Sequence, residues 1–326
     1  MKALLCKAWG GPEDLVMENV ASPEPGAGQV RIDVHAAGLN FPDLLMIAGK
    51  YQFKPEFPFS PGMEVGGVVS AIGDGVTRVA PGDRVLATTG GNGGFAEQVC
   101  TLERKVYPIP ESVSFKTAAA IPTTYGTTYN ALKDRANLQP GETLLVHGAS
   151  GGVGLNAVEL GKLMGARVIG TVGSDEKMDI VRQYGADEVF NYSTQSVKDT
   201  VNGLTDGTGA DVIYDPVGGD AFDQSLRCIN WDGRLLVVGF ASGRIPEAKA
   251  NLMLLKHCQV VGVFYGAWAN RFPDRARAEF ETLLNWCDEG KINPHICAEF
   301  DLADAARGMK MLERREATGK IIINLR

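Results

Sequence analysis

The stretch Thr143-Leu144-Leu145-Val146-His147-Gly148-Ala149-Ser150-Gly151-Gly152-Val153-Gly154 decides the fold. Its apolar first part predicts a buried strand, a glycine-rich turn follows, and apolar residues at helical spacing begin at Leu155. Small residues at Ala149, Gly151 and Gly154 would let the backbone turn tightly and approach a pyrophosphate at the helix start. A tight turn before a packed helix gives a similar pattern, but the strand–turn–helix context favours a dinucleotide site.

Strand-like and helix-like runs alternate after this stretch. We predict helices over residues 176–184 and 220–229, each placed between two strands. The predicted strands cover residues 144–147, 167–172, 188–190, 211–214, 234–239 and 259–264. Six strands joined by crossovers predict a doubly wound parallel sheet of the Rossmann type, and therefore an α/β fold.

The first part of the chain is different, because short alternating runs there are separated by prolines and glycines. Runs at 30–34 and 65–72 predict strands, and a helix is expected over residues 40–48. This pattern favours a β-rich, partly open barrel. Residues 114–131 predict two helices broken near Pro122. After residue 265 we expect helices over 272–290 and 303–314 and a closing strand over 321–325, which rejoin the first part.

Length and composition restrict the classes of partner. A chain of 326 residues is long enough for two domains. The net charge of −7 argues against a nucleic-acid partner or an anionic membrane partner. No apolar run is long enough to span a membrane, so we expect a cytoplasmic protein. The six cysteines are scattered without a C-x-x-C pair, which predicts reduced thiols rather than disulfides or metal ligands.

Several motifs carry a resemblance to a known family over essentially the whole chain. They are Gly38-Leu39-Asn40-Phe41-Pro42-Asp43, Pro61-Gly62-Met63-Glu64-Val65-Gly66-Gly67, Gly82-Asp83-Arg84-Val85, the 148–154 turn, Gly290-Lys291-Ile292 and Thr318-Gly319-Lys320. The chain resembles the zinc-independent quinone oxidoreductase branch, the zeta-crystallin-like proteins, of the medium-chain dehydrogenase/reductase superfamily. The resemblance implies a GroES-like catalytic domain over residues 1–122 and 266–326 and a dinucleotide-binding domain over residues 123–265. It also implies a homodimer that pairs the sixth strands.

The chain departs from the zinc-dependent relatives at the positions of their metal ligands. Asn40 stands where those relatives have a cysteine, and Met63 stands where they have a histidine. Their four-cysteine structural-zinc loop is missing too. Glu64 alone cannot make a tetrahedral zinc site, so we predict no metal. We expect Glu64 to be a structural carboxylate bonded to Arg84 or to backbone.

The missing zinc restricts the reaction. No Lewis acid would stabilise an alkoxide, whereas the anion formed from a quinone or a conjugated carbonyl is delocalised. The resemblance therefore implies an NADPH-dependent reductase of a small quinone or enone, without zinc. The alternative within enzymes is an enoyl reductase acting on α,β-unsaturated acyl thioesters or ketones. A non-enzymatic NADPH-binding protein is the alternative outside enzymes.

The resemblance points to three catalytic residues, Asn40, Asp43 and Tyr51, and to a cofactor-binding threonine at the nicotinamide end of the site. Asn40 would hydrogen-bond the cofactor or a substrate oxygen, or cap a helix. Asp43 would orient Asn40 or Tyr51, or act as a first-turn acid. Tyr51 would donate a proton or hydrogen bond to the product anion, or serve as an aromatic lid. Thr127 would bond the carboxamide or pack against the sheet.

The adenosine end of the site predicts a preference for NADPH. Gly173 stands where an NAD site would have an acid, and Lys177 and Tyr192 could reach a 2′-phosphate there. The rival interpretation makes Asp175 the ribose ligand, although Ser174 and Asp175 also fit a helix start. The predicted cofactor-binding residues are Asn40, Thr127, Ala149, Ser150, Gly151, Gly152, Val153, Gly173, Ser174, Lys177, Tyr192, Phe240, Phe264, Gly266 and Arg315, with Arg314 as the alternative to Arg315.

Overall fold

The computed structural model describes all 326 residues. The strands are β1 Lys2–Leu5, β2 Val16–Asn19, β3 Gln29–Leu39, β4 Glu64–Ile72, β5 Arg84–Thr88, β6 Gln98–Leu102, β7 Val106–Pro108, β8 Thr143–Val146, β9 Arg167–Val172, β10 Glu188–Asn191, β11 Ala210–Asp215, β12 Ile229–Val237, β13 Gln259–Gly262, β14 Ile296–Asp301 and β15 Lys320–Asn324. The α-helices are α1 Phe41–Ile47, α2 Phe115–Ala120, α3 Thr124–Tyr129, α4 Gly152–Leu163, α5 Met178–Gln183, α6 Val197–Leu204, α7 Gly219–Cys228, α8 Ala250–Lys256, α9 Tyr265–Arg271, α10 Pro273–Asp288 and α11 Ala305–Glu313.

The chain forms two compact units. Unit 1 contains Met1–Gly126 and Phe272–Arg326, and unit 2 contains Thr127–Arg271. None of the helices has the length and hydropathy that a membrane-spanning helix needs.

Unit 2 is built on a six-stranded parallel sheet with the order β10-β9-β8-β11-β12-β13. Its strands are mostly apolar because helices on both faces shield them from water. Leu145, Ile169, Ile213 and Leu235 lie in its buried core. Successive strands proceed one way from β8 to β10 and the other way from β11 to β13. This reversal puts the topological switch point beside β8, where the carboxyl ends of such strands form a ligand crevice.

Two sheet boundaries differ from the sequence prediction. The fifth strand begins earlier, at Ile229, and ends at Val237 instead of residue 239. Gly239 N–H donates at 3.4 Å to the carbonyl of Asp215, the last residue of β11, and Ala241 N–H donates to Pro216 O in the loop after it, so the chain leaves the ladder here. The sixth strand ends at Gly262, and the carbonyl of Phe264 accepts from Trp268 N–H in the helical turn that follows. The prediction that Phe264 closes the sixth strand is therefore wrong.

Unit 1 is built on a mainly antiparallel seven-stranded sheet. Its order is β14-β15-β3-β4-β5-β7, with β6 also paired to β3, and β1 and β2 form a separate pair. Alternating apolar residues on β3, including Ile32 and Val34, face a core shared with Val65, Val85 and Ile321. The last strand of the chain, β15, pairs antiparallel with β3. The C-terminal segment thus supplies side chains beside the start of α1.

The fold class predicted from the sequence is confirmed. A doubly wound parallel sheet accompanies a β-rich unit, and no strand pair closes the sheet of unit 1 into a barrel. The helices predicted on either side of Pro122 are present as α2 and α3. α2 ends at Ala120, just before the break, and α3 continues directly into a π-helix over Asn130–Arg135.

Candidate active site

The turn between β8 and α4 has the geometry of a phosphate-binding loop. Gly148 adopts a left-handed conformation with φ of +57°, and its carbonyl accepts from Gly151 N–H at 2.9 Å. A Cβ on Gly154 would lie 2.1 Å from the Gly148 oxygen, so only glycine lets the first turn of α4 approach this loop. A helix N-terminus carries N–H groups and a dipole that favour an anion. The loop therefore fits a pyrophosphate.

Side chains behind this loop fix its position. Thr128 is buried, and its hydroxyl lies 3.3 Å from Val153 O and 3.0 Å from the Tyr214 hydroxyl. His147 follows β8 and lies within hydrogen-bond distance of two hydroxyl groups, those of Thr171 and Ser225. Burial lowers the pKa of His147, which favours the neutral ring. His147 is thus a satisfied structural histidine.

Three of the residues predicted for the adenosine end lie together at the end of β9. A Cβ on Gly173 would lie 2.8 Å from the Tyr192 hydroxyl oxygen. The 3-10 turn that follows has Ser174 at its N-cap position, but the Ser174 side chain makes no capping hydrogen bond. Lys177 N–H donates to Ser174 O at 3.2 Å, so Lys177 lies one turn further on. The exposed Gly173 thus lies between Ser174, its neighbour in the chain, and the Tyr192 phenol, with Lys177 one turn further on.

Asp175, the rival candidate for a ribose ligand, has a partner within the protein. Its Oδ1 accepts a hydrogen bond of 2.9 Å from the buried Asn191 amide at the end of β10. Asp175 therefore ties the turn after β9 to the end of the neighbouring strand.

The carboxyl ends of β11, β12 and β13 carry the other predicted residues of unit 2. Asp215 ends β11, and one of its oxygens accepts from Val217 and Gly218 N–H, both at 2.8 Å. A Cβ on Gly218 would lie 3.1 Å from the half-exposed Phe240 ring, so this loop supports the ring closely. Phe264 is exposed and lies just beyond β13, and Gly266 lies in the first turn of α9.

Thr127 and Arg315 are described by their local surroundings. Thr127 is half-buried and lies on α3 beside Thr128. Arg315 belongs to unit 1 and follows α11 with a left-handed φ of +58°. Its assignment to a phosphate stays a prediction.

In unit 1, two of the predicted catalytic residues, Asn40 and Asp43, lie at the start of α1, and Tyr51 follows the end of that helix. Asn40 occupies the N-cap position, and its backbone N–H donates to Asp43 Oδ2 at 2.8 Å. The other oxygen of Asp43 accepts from Gly62 N–H at 3.1 Å. Burial raises the pKa of Asp43 to about 7, and both burial and the Asp43 charge raise the pKa of Tyr51. Asn40 and Asp43 are therefore bonded to each other, and the Asp43 charge acts on the Tyr51 phenol.

Glu64 completes this cluster with a partner that the sequence analysis did not name. Its Oε1 accepts from Lys320 Nζ and, at 2.7 Å, from Asn40 Nδ2, while its Oε2 accepts from Thr123 N–H at 2.6 Å. The expected backbone bond is present, but the expected bond to Arg84 is wrong. Arg84 instead donates to carbonyls of the segment that precedes α2, including Val113 O at 2.8 Å.

Comparison with known proteins agrees with this geometry. Residues 152–289 match the model of the zinc-binding dehydrogenase family, and residues 26–111 match that of the alcohol dehydrogenase GroES-like domain. A protein named quinone oxidoreductase-like protein 2 homolog, from Nematostella vectensis, is 44% identical over 99% of this chain and 88% of its own length. The chain belongs to the quinone oxidoreductase branch of the medium-chain dehydrogenase/reductase superfamily. The resemblance inferred from the motifs is thereby confirmed.

Solved structures of this oxidoreductase branch have the same fold. Quinone oxidoreductase from Pseudomonas syringae superposes with a TM-score of 0.93 at 34% identity and covers 99% of both chains. The Escherichia coli quinone oxidoreductase complexed with NADPH superposes with a TM-score of 0.94 at 28% identity and covers 100% of both chains. Fold and family therefore agree along the whole chain.

The residues at the start of α1 in this chain do not fit a zinc ion. Both oxygens of Glu64 already accept hydrogen bonds, and the Lys320 ammonium lies against one of them. An ammonium ion repels a cation at that place, and Asn40 and Met63 are poor substitutes for thiolate and imidazole. No group of three or more His, Cys, Asp or Glu side chains is arranged to hold a metal.

Three residues of the site were missed by sequence reasoning. Gly148, directly before Ala149, adopts the left-handed conformation that turns the chain. Asp215 orders the loop after β11 by accepting from its backbone N–H groups. Lys320 lies in a quoted motif, but nothing local shows that it reaches Glu64, 256 positions earlier. A lysine bounded by apolar strand residues at Ile321–Ile323 is the signal that could have indicated a buried cation.

Proposed function

We propose that the protein is an NADPH-dependent reductase that transfers a hydride to quinones or related conjugated carbonyls without zinc. The observation that carries this proposal is the turn between β8 and α4, where Gly154 lies against the Gly148 carbonyl at the switch point of the sheet. The quinone acceptor is supported by the names of the relatives. We also propose that the two units act as a catalytic and a dinucleotide-binding domain.

The surroundings of Gly173 support NADPH as the cofactor. Ser150 to Val153 would hold the pyrophosphate through backbone N–H groups at the start of α4. Ser174, Lys177 and Tyr192 would hold the 2′-phosphate, because the position has no acid and Asp175 is bonded to Asn191. The Escherichia coli relative is described as complexed with NADPH, which supports the same choice.

The bound cofactor would supply the hydride, and the protein would place the acceptor and stabilise its anion. We assign to Tyr51 the hydrogen bond that stabilises this anion. A phenol carries its proton at neutral pH, and burial raises the pKa of Tyr51 further. Asp43 would orient Tyr51. The Asn40 amide donates to Glu64 and, at 3.3 Å, to Gly38 O, which supports a structural role more than contact with the substrate.

The test is an initial-rate assay of NADPH oxidation with a panel of quinones, alkenals and crotonyl thioester, with and without a chelator. We expect the highest kcat/KM with a quinone or an alkenal, and no loss of activity in the chelator. Tyr51→Phe should lower kcat more than it weakens NADPH binding. Tyr184→Phe, at the end of α5, is the matched control and should leave both unchanged.

Other outcomes identify the alternatives. Fastest turnover of crotonyl thioester would assign the protein as an enoyl reductase. NADPH binding without turnover of any acceptor would leave a binding protein. If the purified protein holds one tightly bound zinc per chain, and the chelator removes both the zinc and the activity, the zinc-free proposal is rejected.

A further inference from the structure

Lys320 is a buried cation in the middle of the candidate catalytic cluster. It is the first residue of β15, and β15 pairs with β3 so that Lys320 lies beside the end of β3 and the start of α1. Only 4% of the residue is exposed. Lysine is almost never buried this fully unless it is paired, so its contacts indicate what it does.

The Lys320 ammonium has three donors, and each has an acceptor within the cluster. Nζ donates to Leu39 O at 3.0 Å, to Asn40 Oδ1 at 2.6 Å and to Glu64 Oε1. Gly38 makes room for this arrangement, since a Cβ there would lie 2.3 Å from Glu64 Oε1. The acceptors come from β3, the N-cap of α1 and β4, so Lys320 joins three elements at one point.

These contacts fix the orientation of the Asn40 amide. An ammonium only donates, so it requires Oδ1 of Asn40 to face Lys320, and Nδ2 then faces Glu64. Lys320 thus fixes the oxygen end of the amide, while Glu64 and Gly38 O accept from its nitrogen end. The Asn40 backbone N–H holds Asp43, so a shift of Asn40 would also move the carboxylate whose charge acts on Tyr51.

The charges of Lys320 and Glu64 act on Asp43 in opposite directions. The Lys320 charge favours ionised Asp43 and lowers its pKa, whereas the Glu64 carboxylate raises it. The N–H groups of Asn40 and Gly62 also lower the Asp43 pKa, and Tyr51 is the remaining titratable group beside it.

We propose that Lys320 is a positioning residue for the reaction, which holds the Asn40 amide in one orientation and sets the charge of Asp43 against that of Glu64. The inference deepens the proposed function and rests on it. Lys320 does not touch the substrate in this proposal, but acts through Asn40 and Asp43.

The test compares the titration of Asp43 in wild type, Lys320→Met and Glu64→Gln. Carbon-13 NMR of labelled aspartate in the protein without cofactor gives the midpoint, and the Asp43 signal is assigned by its loss in Asp43→Asn. We expect the midpoint to move up by roughly one pH unit in Lys320→Met and down in Glu64→Gln. Opposite shifts are not expected from loosened packing. An unchanged midpoint, or shifts in the same direction, would overturn the proposal.

A double variant keeps the test valid if Lys320→Met does not fold, because removing one partner leaves an unpaired buried charge. Lys320→Met with Glu64→Gln removes both charges and should restore thermal stability. We still expect kcat to fall by roughly tenfold or more, with NADPH Kd unchanged, because the Asn40 amide has lost its donor. Wild-type kcat in a folded double variant would show that the pair is only structural.

The control is Lys116→Met, which breaks the exposed Lys116–Glu299 ion pair of the same unit and should change neither midpoint nor kcat. The NMR titration needs no turnover. A wild-type protein that reduces no acceptor would therefore reject the proposed function, while the Asp43 midpoints would still test the electrostatic role of Lys320.

Discussion

At the end of β9, the space available for a ligand depends on the absence of a side chain at Gly173 as well as on the side chains around it. Any Cβ there would meet the Tyr192 hydroxyl at 2.8 Å, so the space beside the phenol exists only because the residue is glycine. Asp175 lies two residues later and is bonded to Asn191. The position is therefore suited to a phosphate, which needs donors, and poorly suited to a ribose that needs an acid.

Cofactor choice should change with these residues. A hydrogen bond to a charged group contributes roughly 1.5–3 kcal/mol, and roughly 1.4 kcal/mol corresponds to a factor of ten. We expect wild type to bind NADPH about ten- to a thousand-fold more tightly than NADH. Lys177→Ala should remove about a factor of ten, and Gly173→Asp should remove more because its carboxylate repels the phosphate. The measurement is the ratio of the two Kd values.

The exposed Lys198 on α6 provides the matched control for that experiment, since Lys198→Ala removes a positive charge of unit 2 whose ion-pair partner is Asp199 on the same helix. It should leave the Kd ratio unchanged. A wild type that prefers NADH would make Asp175 the ribose ligand and reject the assignment of Gly173.

Elements with a strong local pattern were predictable from the sequence, and contacts between distant elements were not. The bounds of β9 were predicted without error, since no charged residue interrupts Val168 to Val172 and Arg167 and Gly173 flank this run. The end of β13 was wrong, because the Phe264 carbonyl is taken by a short helix with no clear start signal. The Lys320–Glu64 pair depends on strand register, and no local pattern encodes register between segments so far apart.

The element that tests the dinucleotide assignment is α4. Gly154→Ala would place a methyl group 2.1 Å from the Gly148 oxygen, so the helix or the loop must move. We expect at least about a tenfold loss of NADPH affinity and a lower Tm, measured by fluorescence titration and thermal melting. Gly203→Ala on α6 is the matched control, since nothing lies within 4 Å of its Cβ. It should raise stability by roughly 0.5–1 kcal/mol and leave affinity unchanged.

At the scale of the whole molecule, an unpaired strand edge lies next to exposed apolar side chains. β13 is the last strand of the parallel sheet, and α8 precedes it directly. Leu254 and Leu255 on α8 are 79% and 69% exposed, and Trp231 is 65% exposed. Apolar exposure on this scale beside an open edge is typical of an interface, and an identical edge can pair with it around a two-fold axis.

The backbone of β13 shows which groups are open to a second copy. Alternate residues of a parallel strand bond to the same neighbour. Val263 N–H donates to Val237 O, so Val261 also faces β12, and Val260 and Gly262 point outward. Arg135 Nε already donates to the outward carbonyl of Gly262 at 3.1 Å. Val260 is therefore the residue whose N–H and carbonyl are placed to pair with a partner strand.

We propose a homodimer joined through this edge and expect light scattering with size exclusion to give twice the 34.8 kDa chain mass. Val260→Pro removes the outward N–H without touching a bond to β12, so it should yield monomers with a nearly unchanged Tm. Leu254→Glu should weaken the dimer by burying a charge. Leu163→Glu, on a 39% exposed leucine at the end of α4, is the control and should stay dimeric. A monomeric wild type would reject the dimer. A dimer that survives both Val260→Pro and Leu254→Glu would place the interface elsewhere, and in either case β13 would be a solvent-exposed edge.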